Sequence, residues 1–97
     1  MRIFARSTLQ QFWERHPDCE DSLKAWFVEA LHASWHSPQE IKQRYASADV
    51  LPDNRIVFNI KGNQYRLIVK IHYNTGMVFI RFIGTHAEYD RIDAEKI

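Results

Sequence analysis

Five side chains in the second half of the chain have the chemistry to move a proton beside a phosphate: Lys61, Arg66, Arg81, His86 and Tyr89. Histidine gives and takes protons near neutral pH. Tyrosine donates a proton or stacks on a flat ring, and arginine and lysine stabilise negative charge as it develops. That set suits the cleavage of RNA without a metal, in which the 2′-hydroxyl attacks the adjacent phosphate. Such a reaction needs a base for the hydroxyl, an acid for the leaving 5′ oxygen and cations on the developing charge. By itself the set is of low specificity, because a histidine that opens a helical turn is more often structural.

Other chemistries find less support. His16, His32, His36, His72 and His86 form neither an HExxH pair nor a Cys/His pattern, and His32 and His36, four apart, read as a solvated pair. There is no phosphate-cradling glycine loop and no GxSxG elbow. The single cysteine, Cys19, excludes an internal disulfide and a CxxC site. No metal and no cofactor is expected.

The elements that must position these residues follow from period and turn chemistry. Between Asn54 and Ala87 there is no carboxylate, but there are five cations, Arg55, Lys61, Arg66, Lys70 and Arg81. The stretch reads as three strands, 56–61, 65–73 and 77–83, with Gly62-Asn63 and Asn74-Thr75-Gly76 at the turns. Connections this short make the strands antiparallel neighbours. Parity then assigns faces. Ile56, Phe58, Ile60, Tyr65, Leu67, Val69, Ile71, Tyr73, Val78, Ile80 and Phe82 form an apolar face for helices. Arg55, Val57, Asn59, Lys61, Arg66, Ile68, Lys70, His72, Met77, Phe79, Arg81 and Ile83 form the other, which holds every cation of the stretch. A solvated sheet face is the bland reading, although it would intersperse acids among the bases. Cations interleaved with Phe79 and aliphatics suit the phosphates and bases of single-stranded nucleic acid.

The first half is helical. Met1 to Ala5 leans towards a strand, and Ser7-x-x-Gln10 reads as a capping box before the stripe Leu9, Phe12, Trp13, His16. Pro17 stops that helix. Asp18 reads as the cap of a second helix over 19–34, with Leu23, Trp26, Phe27, Ala30 and Leu31 on its apolar side. Ser37-Pro38-Gln39-Glu40 opens a third, to Tyr45. Ala46 to Leu51 is a brief strand, Pro52-Asp53-Asn54 a turn, and Thr85-x-x-Glu88 a capping box that starts a short helical segment at His86. The order of elements is β-ααα-ββββ-α, an α+β fold with helices on one face of a mainly antiparallel sheet.

Ninety-seven residues with 45% hydrophobic content are expected to make a single domain, 1–97. The net charge of +1 excludes a general polycation, so any electrostatic function must come from segregated charge. No apolar run approaches the ~20 residues that span a bilayer, and no leader is apparent, so the expected location is the cytoplasm without membrane contact.

Two ungapped runs, Asn54 to Leu67 (NRIVFNIKGNQYRL) and Phe79 to Asp90 (FIRFIGTHAEYD), closely resemble the HigB toxins of type II toxin–antitoxin modules. The tryptophan-rich N-terminal helices and the Ser37-Pro38 start extend the resemblance over nearly the whole chain. It implies a RelE-like fold and a translation-dependent mRNA endonuclease that cuts message in the ribosomal A site. It also implies neutralisation by a HigA antitoxin with a helix-turn-helix domain, in a complex that contacts operator DNA through the antitoxin. Many RelE-like toxins are strongly basic, and this chain is nearly neutral. RelE-like relatives vary in their catalytic residues, so the roles are assigned from the shared sheet face and the GTHAEYD corner: His86 is expected as general acid or base, with Arg81 and Lys61 on the scissile phosphate and Tyr89 orienting or stacking on the substrate. Arg66 and Lys70 are expected on flanking phosphates, with Arg55, Asn59, His72 and Phe79 completing the RNA-binding face. The alternative from the residues is a non-catalytic module that binds RNA or an acidic partner through the same face.

Overall fold

A computed structural model describes residues 1–97. Strand β1 (Arg2–Phe4) leads into α1 (Arg6–Arg15), a 3-10 turn at Pro17–Cys19, α2 (Glu20–His32) and α3 (Pro38–Arg44). Then come β2 (Asp49–Leu51), β3 (Arg55–Ile60), β4 (Tyr65–His72), β5 (Met77–Thr85) and the single-turn α4 (His86–Tyr89). The five strands form one sheet in the order β1-β5-β4-β3-β2. Only the β1–β5 pair is parallel. The order and the α+β class are those expected from the sequence.

The helices cover one face. Leu9, Phe12 and Trp13 of α1 and Leu23, Trp26 and Ala30 of α2 are buried, and they meet Ile56, Phe58, Ile60, Leu67, Val69, Ile71 and Val78 in one core. Phe58 is the hub, with ring centroids 5.4 Å from Trp26, 6.0 Å from Trp35 and 5.0 Å from Tyr45. Truncating it to alanine would cost about 3–5 kcal/mol. Leu31, expected in the α2 stripe, is 46% exposed, and α2 ends at His32 rather than Ser34.

Two expected helix caps are not formed. The N-cap of α1 is Ala5, without a side-chain bond, so Ser7 lies inside the helix. Asp18 caps nothing, because its carboxylate accepts from the Tyr65 hydroxyl at 2.7 Å and from Lys61 Nζ at 3.1 Å. Two others form as expected. Ser37 Oγ accepts from Glu40 N, and Thr85 and Glu88 make a reciprocal capping box.

The faces of β5 depart from simple alternation. Ile68 pairs with Phe82 while Val69 pairs with Ile80, so Arg81 is the extra residue of a β-bulge. A bulge puts two successive residues on one side and reverses the parity beyond it. Phe82 therefore belongs to the second face, where its ring lies over Gly84, and Ile83 belongs to the helix side, where it packs on the core.

The second face is not an open basic surface either. Val57 and Ile68, expected beside the cations, are wholly buried. The segment after α4 returns to Arg55 on this face: Ile92, Ala94 and Ile97 are half-buried, and the Ile97 carbonyl accepts from Arg55 Nε at 2.9 Å. Arg55 is itself only 7% exposed.

Candidate active site

The end of the sheet at the β3–β4 turn and the β5–α4 corner gathers the reactive residues. Tyr65 is the register partner of Thr85, and the amide of His86 donates to the Gln64 carbonyl at 3.1 Å. The capping box then fixes the corner: Glu88 N donates to Thr85 Oγ1, and Thr85 N donates to Glu88 Oε1 at 2.8 Å. The bond from the Thr85 backbone N–H holds the Glu88 carboxyl below its ordinary range. His86 and Tyr89, three apart, point to the same side of one helical turn, with ring centroids 6.3 Å apart.

Arg66 is the centre of this corner. In the register it lies between Asn59 and Gly84. Its Nη2 donates to His86 Nε2 at 3.4 Å, its Cζ sits 4.9 Å from the Tyr89 ring centroid, and its Nη1 pairs with Asp49 Oδ2 at 3.1 Å. Arg66 Nε and Asn59 Oδ1, on neighbouring strands of the same row, are buried without partners. His86 Nδ1 lies 3.4 Å from Asp90 Oδ2. A guanidinium can only donate, so these contacts fit the tautomer with the lone pair on Nε2 and Nδ1–H towards the carboxylate. In that form the imidazole has an unprotonated nitrogen beside a guanidinium, and a carboxylate behind it to support positive charge.

The other expected site residues are distributed around this corner. Lys61 is in the turn rather than in β3, at φ 52°, and its ammonium is bound to Asp18 on the helix side. The same carboxylate accepts from Tyr65, which pushes that phenol up to about 12 and holds Asp18 low. Arg81 is exposed at the bulge and makes no ion pair; it is three residues from Gly84, about 10 Å along the strand. Lys70 and Arg55 share Asp53 at 2.8 and 3.0 Å. His72 stands edge-on to Phe79 at the far end of β4. Asn59 Nδ2 donates to the Ser47 carbonyl.

The carboxylate-free stretch is therefore neutralised from outside itself, by Asp18, Asp49 and Asp53. For Arg66 and His86, the polar partners that sequence reasoning missed are Asp49 and Asp90. Asp90 had a signal, being four residues after a histidine on a helical turn. Asp49 had none, because it reaches Arg66 only across β3.

Residues 19–92 match the model of a toxin family described as a RelE-like toxic component of a toxin–antitoxin system. The chain is 26% identical over 92 residues to the mRNA interferase toxin HigB of Escherichia coli K12, an alignment that covers 93% of this chain and 88% of that protein. The mRNA interferase HigB of Shigella flexneri gives the same identity and coverage. The mRNA interferase HigB of E. coli O6:H1 is 21% identical over 94 residues, with 95% and 91% covered.

Proposed function

Because the chain belongs to the HigB family of RelE-like toxins, we propose that it is an endoribonuclease that cuts mRNA during translation, with its reactive centre at His86 and Arg66. The carrying observation is the contact of Arg66 Nη2 with His86 Nε2, made over the Tyr89 ring. A basic nitrogen and a phosphate-binding fork stand side by side, as 2′-hydroxyl attack requires.

The step proceeds as follows. His86 Nε2 takes the proton of the 2′-hydroxyl, and the 2′ oxygen bonds to phosphorus. The guanidinium of Arg66 moves from His86 and Asp49 onto the phosphate oxygens, where charge accumulates. The bond from phosphorus to the 5′ oxygen breaks, and the Tyr89 hydroxyl supplies the proton to that oxygen. The products are a 2′,3′-cyclic phosphate and a free 5′-hydroxyl. Asp90 supports the imidazolium formed at His86, and the resting state returns when Tyr89 regains a proton from His86 through solvent. Arg81 contacts a neighbouring phosphate. Lys61, held by Asp18, acts by fixing the turn that receives the His86 amide.

The family supports the finer parts of the reading: action on ribosome-bound message in the cytoplasm, neutralisation by a helix-turn-helix antitoxin, and operator contact through that complex. The internal pairing of the basic face suits a template that brings the message to the protein, since only Arg81 among its five cations lacks a polar partner.

Primer extension on a translated message tests the proposal. The wild type should generate new 5′-hydroxyl ends, and folded His86→Ala and Arg66→Ala proteins should not. Full toxicity of both variants would remove this corner from the reaction.

A further inference from the structure

The far end of the second face carries an aromatic feature that the catalytic corner does not use. Phe4 and Phe79 are register partners in the parallel β1–β5 pair, and their rings stack at 5.4 Å with planes 19° apart. Phe4 is 39% exposed although it sits on an edge strand, where a charged or polar residue would protect against aggregation. His72 meets the Phe79 ring edge-on at 5.1 Å. The Arg2 guanidinium lies 5.5 Å from the Phe4 ring centroid and has no carboxylate partner. Phe79 pairs with Lys70, which shares its side of β4 with Arg66, so this patch and the catalytic corner are on one face. From Phe79 to Gly84 is about 16 Å along β5. Arg81, the exposed cation without an ion pair, stands between them.

We propose that Phe4 and Phe79, with Arg2, form a stacking subsite for one base of single-stranded RNA, about 16 Å along β5 from the catalytic corner, with Arg81 on an intervening phosphate. The proposal rests on the endoribonuclease reading and extends its substrate contacts. The chemistry favours a base over an apolar protein side chain. Stacked rings present a flat π surface rather than a pocket, and the cations beside and beyond it match a polyanion. Arginine also stacks on bases, so Arg2 can close over the bound ring.

Fluorescent, uniformly 2′-O-methylated single-stranded oligonucleotides of three and eight nucleotides, which cannot be cleaved by 2′-hydroxyl attack, provide the test. The wild type should bind the longer one more tightly. Phe4→Ala should weaken the longer one by about 5- to 150-fold, the range for losing one stacked base, and leave the shorter one unchanged. Phe4→Leu, which keeps an apolar contact with Phe79 but has no ring, should lose most of the same advantage. Equal affinity of the wild type for both lengths, or a Phe4→Leu protein that binds like wild type, would overturn the subsite. If length dependence vanishes while His86→Ala still abolishes cleavage, only the subsite falls. If length dependence persists but no message is cut, only the catalytic corner falls.

Discussion

Asp49 Oδ2 lies 3.1 Å from Arg66 Nη1, so a carboxylate occupies one prong of the guanidinium that would hold the scissile phosphate. Asp49 reaches across β3 from the short edge strand and is 54% exposed at its side chain, against 16% for Arg66. A substrate phosphate must displace it. Asp49→Asn should therefore bind single-stranded RNA about two- to fivefold more tightly, the order expected for releasing a cation from a partly exposed pair. The affinity should also fall more steeply with salt, since one more phosphate contact is then made without an internal competitor. Fluorescence anisotropy over a salt series reads both. Weaker binding by Asp49→Asn would show instead that the carboxylate positions Arg66 for the substrate.

The contacts of Arg66 with His86 and Tyr89 separate three roles by three substitutions. His86→Ala should slow cleavage by about 10²- to 10⁴-fold, the usual contribution of a positioned proton-transfer group. Its thermal midpoint should stay near wild type, because the His86 side chain is 45% exposed. Arg66→Lys keeps a positive charge but loses the planar fork that touches His86, Tyr89 and Asp49 together, so it should also be strongly impaired. Tyr89→Phe keeps the ring under the guanidinium and removes only the hydroxyl. Loss of cleavage with RNA affinity retained would identify the hydroxyl as the proton donor, whereas wild-type rates would reduce Tyr89 to a stacking role.

What the sequence made legible, and what it did not, divides by the range of the interaction. Ser37 with Glu40 and Thr85 with Glu88 were readable because a cap is satisfied within three residues. Ser7 and Asp18 carry similar local signals, yet Asp18 is claimed by Tyr65 and Lys61, more than forty residues away. The apolar faces of β3 and β4 follow from alternation. The reversal at Phe82 and Ile83 does not, since one bulged residue at Arg81 leaves no mark in the hydrophobic pattern. The basic stretch is visible as a run without carboxylates. Its neutralisation by Asp18, Asp49 and Asp53 is a property of the folded sheet and turns alone. His86 and Tyr89 could be read as neighbours on a turn, while the choice of Arg66 rather than Lys61 as their cation required the register of β4 against β5.

Gly84 should be intolerant of even one added carbon. A Cβ there would meet Phe82 Cζ at 2.5 Å and Glu88 Oε1 at 3.2 Å, so both the ring and the capping box would have to shift. Gly84→Ala should cost about 1–3 kcal/mol, as overpacking of a close contact does. It should also reduce cleavage, because Arg66 is the register partner of Gly84 and His86 begins the turn that Glu88 caps. Denaturant titration measures the first effect. A Gly84→Ala protein of wild-type stability and activity would show that the Phe82 ring moves aside without consequence for the corner.

Acid should loosen the fold through Asp18, Asp53 and Glu88, three carboxylates that hold its turns. The Tyr65 hydroxyl, and next Lys61, keep the Asp18 carboxyl below its ordinary value of 3.8. Lys70, and next Arg55, do the same for Asp53, and the Thr85 backbone N–H does so for Glu88, whose ordinary value is 4.5. Each group has a lower value folded than unfolded. Its contribution is therefore complete above the unfolded value and is lost as pH falls through the folded one. Thermal midpoints should be flat from pH 7 to about 5 and then drop as the unfolded chain takes up protons first. Asp18→Asn should melt below wild type at pH 7, and the gap should close as pH falls below the ordinary carboxylate range. A gap that stayed constant down to pH 2.5 would mean that Asp18 stabilises through packing of the 3-10 turn, with no contribution from its charge on Lys61 and Tyr65.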